Sequence, residues 1–156
     1  PQEMLPFRPD AFRMLTAGKR PIEDTMAAFV CHGAFTRFPE LRVATVENGG
    51  DWVVPFVHHL EDVYRKMPQA FDENPVEAFQ RVAIAMSGFA DDIAGLVDVL
   101  GADHLLFGSD FPHPEGLADP CSYVDHLPDG MPEADVAAIM GGNLGRLMRV
   151  DATAAV

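Results

Sequence analysis

The amino-acid sequence predicts an α/β fold built from parallel strands. Short apolar runs occupy residues 41–46, 82–86 and 104–109, and each run leads into small or polar residues. Segments with apolar residues at helical spacing lie between these runs, which is the alternation expected of βα units around a parallel sheet. From this pattern alone, three such units form either a small open sheet or a slice of a larger barrel.

Composition narrows the class of protein. With 156 residues, 48% of them hydrophobic, the chain is long enough for one domain with a real core. The net charge of −13, without a basic cluster to offset it, disfavours nucleic acid as a partner. No apolar run reaches membrane-spanning length and the first residues do not resemble a signal peptide, so we expect no membrane partner and a cytoplasmic location. The two cysteines, Cys31 and Cys121, are isolated and are predicted to be free thiols.

The first elements can be taken in order. Residues 1–20 are broken by prolines and are predicted to form a loop. A helix is predicted over 21–38, because a proline and two acids suit its first turn and Pro39 ends it. The strand at 41–46 follows, and Asp51 is expected to cap a second helix that runs to about residue 66.

The middle of the chain repeats the alternation. A short helix at 75–80 precedes the strand at 82–86, which ends at Ser87. Asp91 and Asp92 are expected to open the next helix, whose end leads directly into the strand at 104–109.

The C-terminal part is predicted to be helical after a loop. Residues 114–129 form a loop or short helix, residues 132–140 a helix, and Asn143 caps a last helix. The chain is therefore expected to be one unit, with the βα part at 21–150 and a tail at 151–156.

The stretch HLLFGSDFPHPE, residues 104–115, carries the clearest sign of chemistry. Asp110 directly follows the third predicted strand, and His113 follows three residues later. Loops that leave the carboxyl ends of parallel strands converge on one ligand, so a carboxylate and an imidazole there predict a metal or proton-transfer site. Because right-handed crossovers make sequential βα units neighbours, Glu47, Ser87 and Asp110 are expected at one common edge.

Each of these residues also has a purely structural interpretation. Asp110 could cap the following turn, and Glu47 could be stabilised by the N-terminus of the next helix. His113 is better suited to orienting Asp110 or its loop than to binding a metal directly. The other histidines are assigned to surface or helix-face positions: His32, His58, His59, His104 and His126. Of these, His32 is predicted to lie within the first helix.

Three blocks of the sequence resemble a known family: FPELRVATVENGGDW, GADHLLFGSDFPHPEG and GGNLGRLM. They are similar to the C-terminal portion of the amidohydrolase-related family of metal-dependent TIM-barrel enzymes, which includes aminocarboxymuconate semialdehyde decarboxylase. The resemblance covers residues 21–150, and GSDFPH is its most specific part. It implies a partial (β/α)8 TIM barrel, made of the last three βα units. Because the chain starts at Pro1 rather than at methionine, we expect it to begin inside a longer one.

The resemblance also implies roles for individual residues. Asp110 matches the family's aspartate at the end of the eighth strand, which touches the active-site metal and can take a proton. Glu47 stands where decarboxylase members carry a histidine in a His-Gly-Gly-Gly block, so it departs from their pattern. The implied cofactor is a divalent metal, Zn²⁺ with Mn²⁺ as the alternative. The family's remaining ligands, a His-x-His pair and a histidine on the fifth strand, have no counterpart in this chain, since the adjacent His58 and His59 point to different faces.

The function implied by the resemblance is metal-assisted hydrolysis or non-oxidative decarboxylation of a small carboxylated or cyclic substrate, with Asp110, Glu47 and His113 as the site residues. The 156-residue chain is itself expected to be inactive, because it supplies only part of the metal site. The alternative is a catalytically silent truncated chain that acts only as a fold fragment or assembly surface. A homo-oligomer is left open, because the edges of a partial sheet favour association.

Overall fold

A computed structural model describes residues 20–86, 91–110, 113 and 116–150 of the chain. Within them, three strands form one sheet in the order β1-β2-β3, and both neighbouring pairs are parallel. The strands are β1 Val43–Thr45, β2 Val82–Ala85 and β3 Leu105–Leu106. The predicted α/β class, with three adjacent parallel strands, is therefore confirmed.

Helices connect and flank the strands. The α-helices are α1 Arg20–Cys31, α2 Ala34–Arg37, α3 Val53–Lys66, α4 Pro75–Phe79, α5 Ile93–Leu100, α6 Glu133–Ala137 and α7 Asn143–Met148. Short 3₁₀ turns cover Pro68–Ala70, Ala102–His104 and Pro120–His126, and a wide π turn at Ala138–Gly142 joins α6 to α7. None of the helices within the described ranges is long and apolar enough to cross a lipid bilayer.

The core lies where the sheet packs against helices. Ile84 of β2 stands in register with Thr45 of β1 and with Leu105 of β3, and all three side chains are buried. Aromatic rings fill the space beside them: Trp52, Phe56 and Phe79 pack edge to face or tilted, with ring centroids 5.0 to 5.9 Å apart. Large aromatic side chains bury much apolar area, so this cluster anchors α3 and α4 to each other.

The continuous helix predicted at 21–38 is wrong. Helix α1 ends at Cys31, His32 lies in a turn rather than within a helix, and Gly33 adopts a left-handed φ of 64° before α2 begins. A Cβ atom at Gly33 would approach Oδ2 of Asp72 to 2.5 Å. Glycine fits both requirements, because it adopts positive φ without strain and allows the close approach.

The third strand is shorter than the predicted range of 104–109. His104 belongs to the preceding 3₁₀ turn, and regular pairing with β2 stops after Leu106. The next amide, Phe107 N–H, donates instead to the carbonyl of Ile139 in the π turn, at 3.1 Å. The chain therefore leaves the ladder because its next hydrogen-bond partner lies on the C-terminal segment.

Two of the predicted caps are also wrong. Helix α3 begins at Val53 with Trp52, not Asp51, at its N-cap. Asn143 is the first residue of α7, and its side-chain amide donates elsewhere, to the carbonyls of Ala102 and Leu105, both at 2.7 Å. It thus ties the last helix to β3.

Several other predictions are confirmed. Asp92 caps α5, with its carboxylate accepting the Gly95 N–H at 3.0 Å. Cys31 and Cys121 are exposed free thiols. Residues 1–19 of the loop predicted at 1–20, the strand end at Ser87 and the tail at 151–156 lie outside the described residues. Arg20 is not part of a loop but the first residue of α1.

Candidate active site

The loop after β1 places Glu47 at the carboxyl end of the strand. Glu47 is exposed and has a left-handed backbone, with φ of 59°. Side chains close to the loop hold this shape, since Asn48 Nδ2 donates to the Val46 carbonyl at 2.7 Å and the buried indole of Trp52 donates to the Gly49 carbonyl at 3.0 Å. A left-handed backbone costs a non-glycine residue about 1 kcal/mol or more, so these contacts support an unfavourable geometry.

The segment after β3 places Asp110 at the same edge of the sheet. Asp110 also has a left-handed backbone, with φ of 56°. Backbone hydrogen bonds link the described residues of this segment: His113 N–H donates to the Asp110 carbonyl at 2.8 Å, and Gly116 N–H donates to the His113 carbonyl at 2.9 Å. A bond from Leu117 N–H to the Ser109 carbonyl, at 2.9 Å, closes the loop.

The carboxylate and the imidazole of this loop face each other. His113 Nδ1 lies 3.9 Å from Oδ2 of Asp110, and 40% of the Asp110 side chain is exposed. A carboxylate in this position is open to a ligand while an adjacent imidazole can help to orient it. The structure therefore brings Asp110 and His113 together, as the sequence predicted, without a direct hydrogen bond between their side chains.

Glu47 and Asp110 stand on opposite sides of the middle strand. Because β1 and β3 are both parallel neighbours of β2, their carboxyl ends lie at one edge of the sheet. The usual spacing between strands puts these two ends about 10 Å from each other, with β2 between them. Among the described residues, no three His, Cys, Asp or Glu side chains lie close enough together to hold a metal ion.

A third acid lies at this edge and was not predicted to have a site role. Asp91, which the sequence suggested only as a helix opener, accepts the backbone N–H of Gly50 on its Oδ1 at 2.7 Å. Tyr123 is buried, its hydroxyl lies 3.7 Å from Sδ of Met86, and its ring packs at a tilt against Phe107 with centroids 4.9 Å apart. Burial, and then the charge of Asp91, raise the pKa of Tyr123 to about 12, so the phenol stays protonated.

Basic side chains lie at the amino ends of the strands, opposite the edge that carries Glu47 and Asp110. Arg42 and Arg81 immediately precede β1 and β2, and Arg146 pairs at 2.8 Å with Asp103, just before β3. Among the described residues, the edge at the carboxyl ends of the strands is therefore negatively charged, which favours a cation there.

A surface cavity of about 550 Å³ lies away from this edge, around the C-terminal end of α3, and its lining includes Glu61, Tyr64 and Arg65.

Comparison with known proteins identifies the family. The sequence profile of the amidohydrolase family matches residues 21–149. The chain therefore belongs to the amidohydrolase family. Among functionally curated proteins, none matches the chain.

Two solved structures are similar over most of the chain. An amidohydrolase from Mycobacterium avium subsp. paratuberculosis K-10 is 39% identical and superposes with a TM-score of 0.83, over 93% of this chain and 37% of that one. The 5-carboxyvanillate decarboxylase of Sphingomonas paucimobilis is 25% identical, with a TM-score of 0.63, over 81% of this chain and 39% of that one. The chain thus spans less than two fifths of the length of either protein.

Proposed function

We propose that the chain forms the last three βα units of a (β/α)8 barrel enzyme. This enzyme would carry out metal-assisted hydrolysis or non-oxidative decarboxylation of a small carboxylated or cyclic substrate. Family membership supports the general class, and the similarity to one amidohydrolase and one decarboxylase supports both reaction types. The three-stranded parallel sheet, matched to 37% of a longer amidohydrolase, supports the partial barrel.

The observation that carries the proposal is the geometry of Asp110. Its carboxylate lies four residues beyond the carboxyl end of the parallel strand β3, partly exposed, on a left-handed backbone beside three loop hydrogen bonds. Unfavourable backbone geometry persists where the surroundings enforce it and is concentrated at functional sites. The carboxyl ends of the strands are also where barrel enzymes bind their substrates.

The donor atoms present fit part of a metal site. A carboxylate oxygen is a suitable ligand for Zn²⁺ or Mn²⁺, and Asp110 offers one. A catalytic zinc ion usually takes three protein ligands, and the described residues contain no group of that size. The proposal therefore assigns Asp110 as one ligand and places the others outside the described residues. When bound, the ion would polarise the substrate as a Lewis acid.

The chain's own residues would handle the proton. In hydrolysis, an Asp110 carboxylate oxygen accepts a proton from the attacking water and later gives it to the leaving group. In decarboxylation, the protonated carboxyl donates to the carbon that loses carbon dioxide. His113 keeps the carboxylate oriented, and the exposed Glu47 faces the substrate from the other side of β2.

A chimera tests this proposal directly. The Mycobacterium avium amidohydrolase, with this chain in place of the 37% of its length that the chain matches, would supply a whole barrel. We expect the chimera to bind metal, and Asp110→Ala to weaken that binding by about tenfold or more. Asp98→Ala, an exposed acid on α5, is the control and should bind metal normally. Equal metal affinity in the Asp110→Ala and control chimeras would favour the alternative of a silent fold fragment.

A further inference from the structure

Asp91 is a half-buried acid just before α5, and it is not the N-cap of that helix. The neighbouring Asp92 alone provides the N-cap of α5, through its hydrogen bond to Gly95. The carboxylate of Asp91 reaches instead to the Gly50 amide, 41 residues earlier in the chain, at 2.7 Å. Hydrogen bonds to a charged acceptor are shorter and about twice as strong as neutral ones.

The carboxylate of Asp91 interacts with segments that follow more than one strand. Gly50 belongs to the loop after β1, and Asp91 itself lies between β2 and the N-cap of α5. The charge of Asp91 also acts on Tyr123, whose ring packs against Phe107, the residue that follows β3. One acid therefore interacts with all three βα units at the edge that carries Glu47 and Asp110.

The loop that bears Glu47 depends on outside support. Two of its hydrogen bonds, from Asn48 and Trp52, are local, whereas the Asp91 bond joins it to a different βα unit. Gly50 also packs tightly, because a Cβ atom there would lie 2.5 Å from Cδ1 of Leu96 on α5. The bond to Asp91 therefore holds Gly50 closely against the next unit.

We propose that Asp91 is a positioning residue that fixes the loop carrying Glu47 by accepting the Gly50 amide. Its relevance to catalysis rests on the proposed function, whereas its effect on the loop does not. The carboxylate sets where the Glu47 backbone stands relative to Asp110 across the middle strand. Asparagine keeps an oxygen acceptor at the same distance from the backbone, and alanine removes it, so the two substitutions separate the hydrogen bond from the volume of the side chain.

Amide hydrogen exchange, followed by NMR on the full 156-residue chain, tests this role. Asp91→Ala should speed exchange of the Gly50 amide by about tenfold or more, because its acceptor is lost. Asp91→Asn should restore the Gly50 rate to within about threefold of the wild type. The amide of Val57, inside α3, should keep its rate in both variants, and Asp98→Ala should change neither amide.

Two results would overturn the proposal. One is an unchanged Gly50 rate in Asp91→Ala; the other is equal acceleration at Gly50 and Val57, which would indicate general destabilisation instead. The measurement needs no substrate and no metal. Its failure would thus remove the role of Asp91 without affecting the proposed function. Conversely, normal metal binding by the Asp110→Ala chimera would count against the proposed function and would not change the exchange rates measured for Asp91.

Discussion

Two glycines on either side of Asp110 differ in the space around them. A Cβ atom at Gly116 would lie 2.7 Å from the carbonyl oxygen of Asp110, whereas a Cβ at Gly108 would meet nothing within 4 Å. Gly116→Ala should therefore force the loop away from Asp110 and destabilise the fold by about 1 to 3 kcal/mol, the usual cost of overpacking. Gly108→Ala is the matched control, and urea unfolding of both variants measures the difference.

The same two variants test how the loop between Asp110 and Gly116 is packed. Gly116→Ala should also shift the NMR resonances of Asp110 and His113, because the Gly116 amide bonds the His113 carbonyl. Equal stability of the two alanine variants, with unchanged resonances, would show that the loop is not packed as described.

Asn143 is the second residue whose surroundings make a clear prediction. It is buried, and its amide donates to two carbonyls, one in the 3₁₀ turn before β3 and one at the first residue of β3. Asn143→Ala should lower the free energy of unfolding by about 3 kcal/mol, because each abandoned buried acceptor costs about 1 to 3 kcal/mol. Leu144→Ala, at the exposed neighbouring position, should cost much less in the same urea titration. A loss below that of the control would contradict the assigned bonds.

The sequence identified Asp110 and His113 but not Asn143 or Asp91 as organising residues, for a physical reason. Asp110 and His113 are close in sequence, so a strand end followed by a turn was enough to place them together. The partners of Asn143 and Asp91 lie 38 and 41 residues away, at Leu105 and Gly50. No local pattern reveals such distant partners. The adjacent acids Asp91 and Asp92 were one indication, because a helix needs only one N-cap and the second acid is therefore available for another partner.

At the scale of elements, periodicity located the helices and strands better than their ends. The apolar stripe of α3 and the buried run of β2 follow directly from the spacing of their side chains. Helix α1 ends before Gly33, which packs close to Asp72, and β3 ends where Phe107 N–H bonds the Ile139 carbonyl. The spacing of apolar residues contains neither neighbour. The parallel order could be predicted because crossovers between sequential strands are short and right-handed.

The turn before β3 contains a pH-sensitive residue. Burial is the main cause that lowers the pKa of His104 below its ordinary value, with the charge of Asp103 opposing it. The folded state thus binds this proton less readily than the unfolded state. Its contribution to stability is full above the ordinary pKa of histidine, about 6.5, and is lost as the pH falls through that region.

Unfolding in urea at about pH 7.5 and about pH 5.5 measures this effect. The wild type should lose stability on acidification, and His104→Gln should lose less because it cannot take up the proton. His58→Gln, an exposed position on α3, should behave like the wild type. An identical pH dependence in His104→Gln and wild type would remove His104 as the cause.

At the scale of the whole molecule, our proposal gives this chain only part of a metal site. Among the described residues, Asp110 is the one carboxylate that we assign as a metal ligand, and no cluster of three ligands is present. We therefore expect the chain alone to bind Zn²⁺ or Mn²⁺ only weakly, since a catalytic site needs about three protein ligands. Tight stoichiometric binding in calorimetry that survives Asp110→Ala would show that another site exists.

The central claim is that Asp110 both binds the metal and moves the proton. The most direct test is the turnover of the Asp110→Asn chimera on a panel of carboxylic acids and cyclic substrates, with metal content measured alongside. Asparagine keeps the shape and an oxygen ligand but removes the base. Turnover should fall by about 100-fold while metal and substrate still bind, and Glu47→Gln should cost less. Wild-type turnover by an Asp110→Asn chimera with full metal occupancy would contradict the claim.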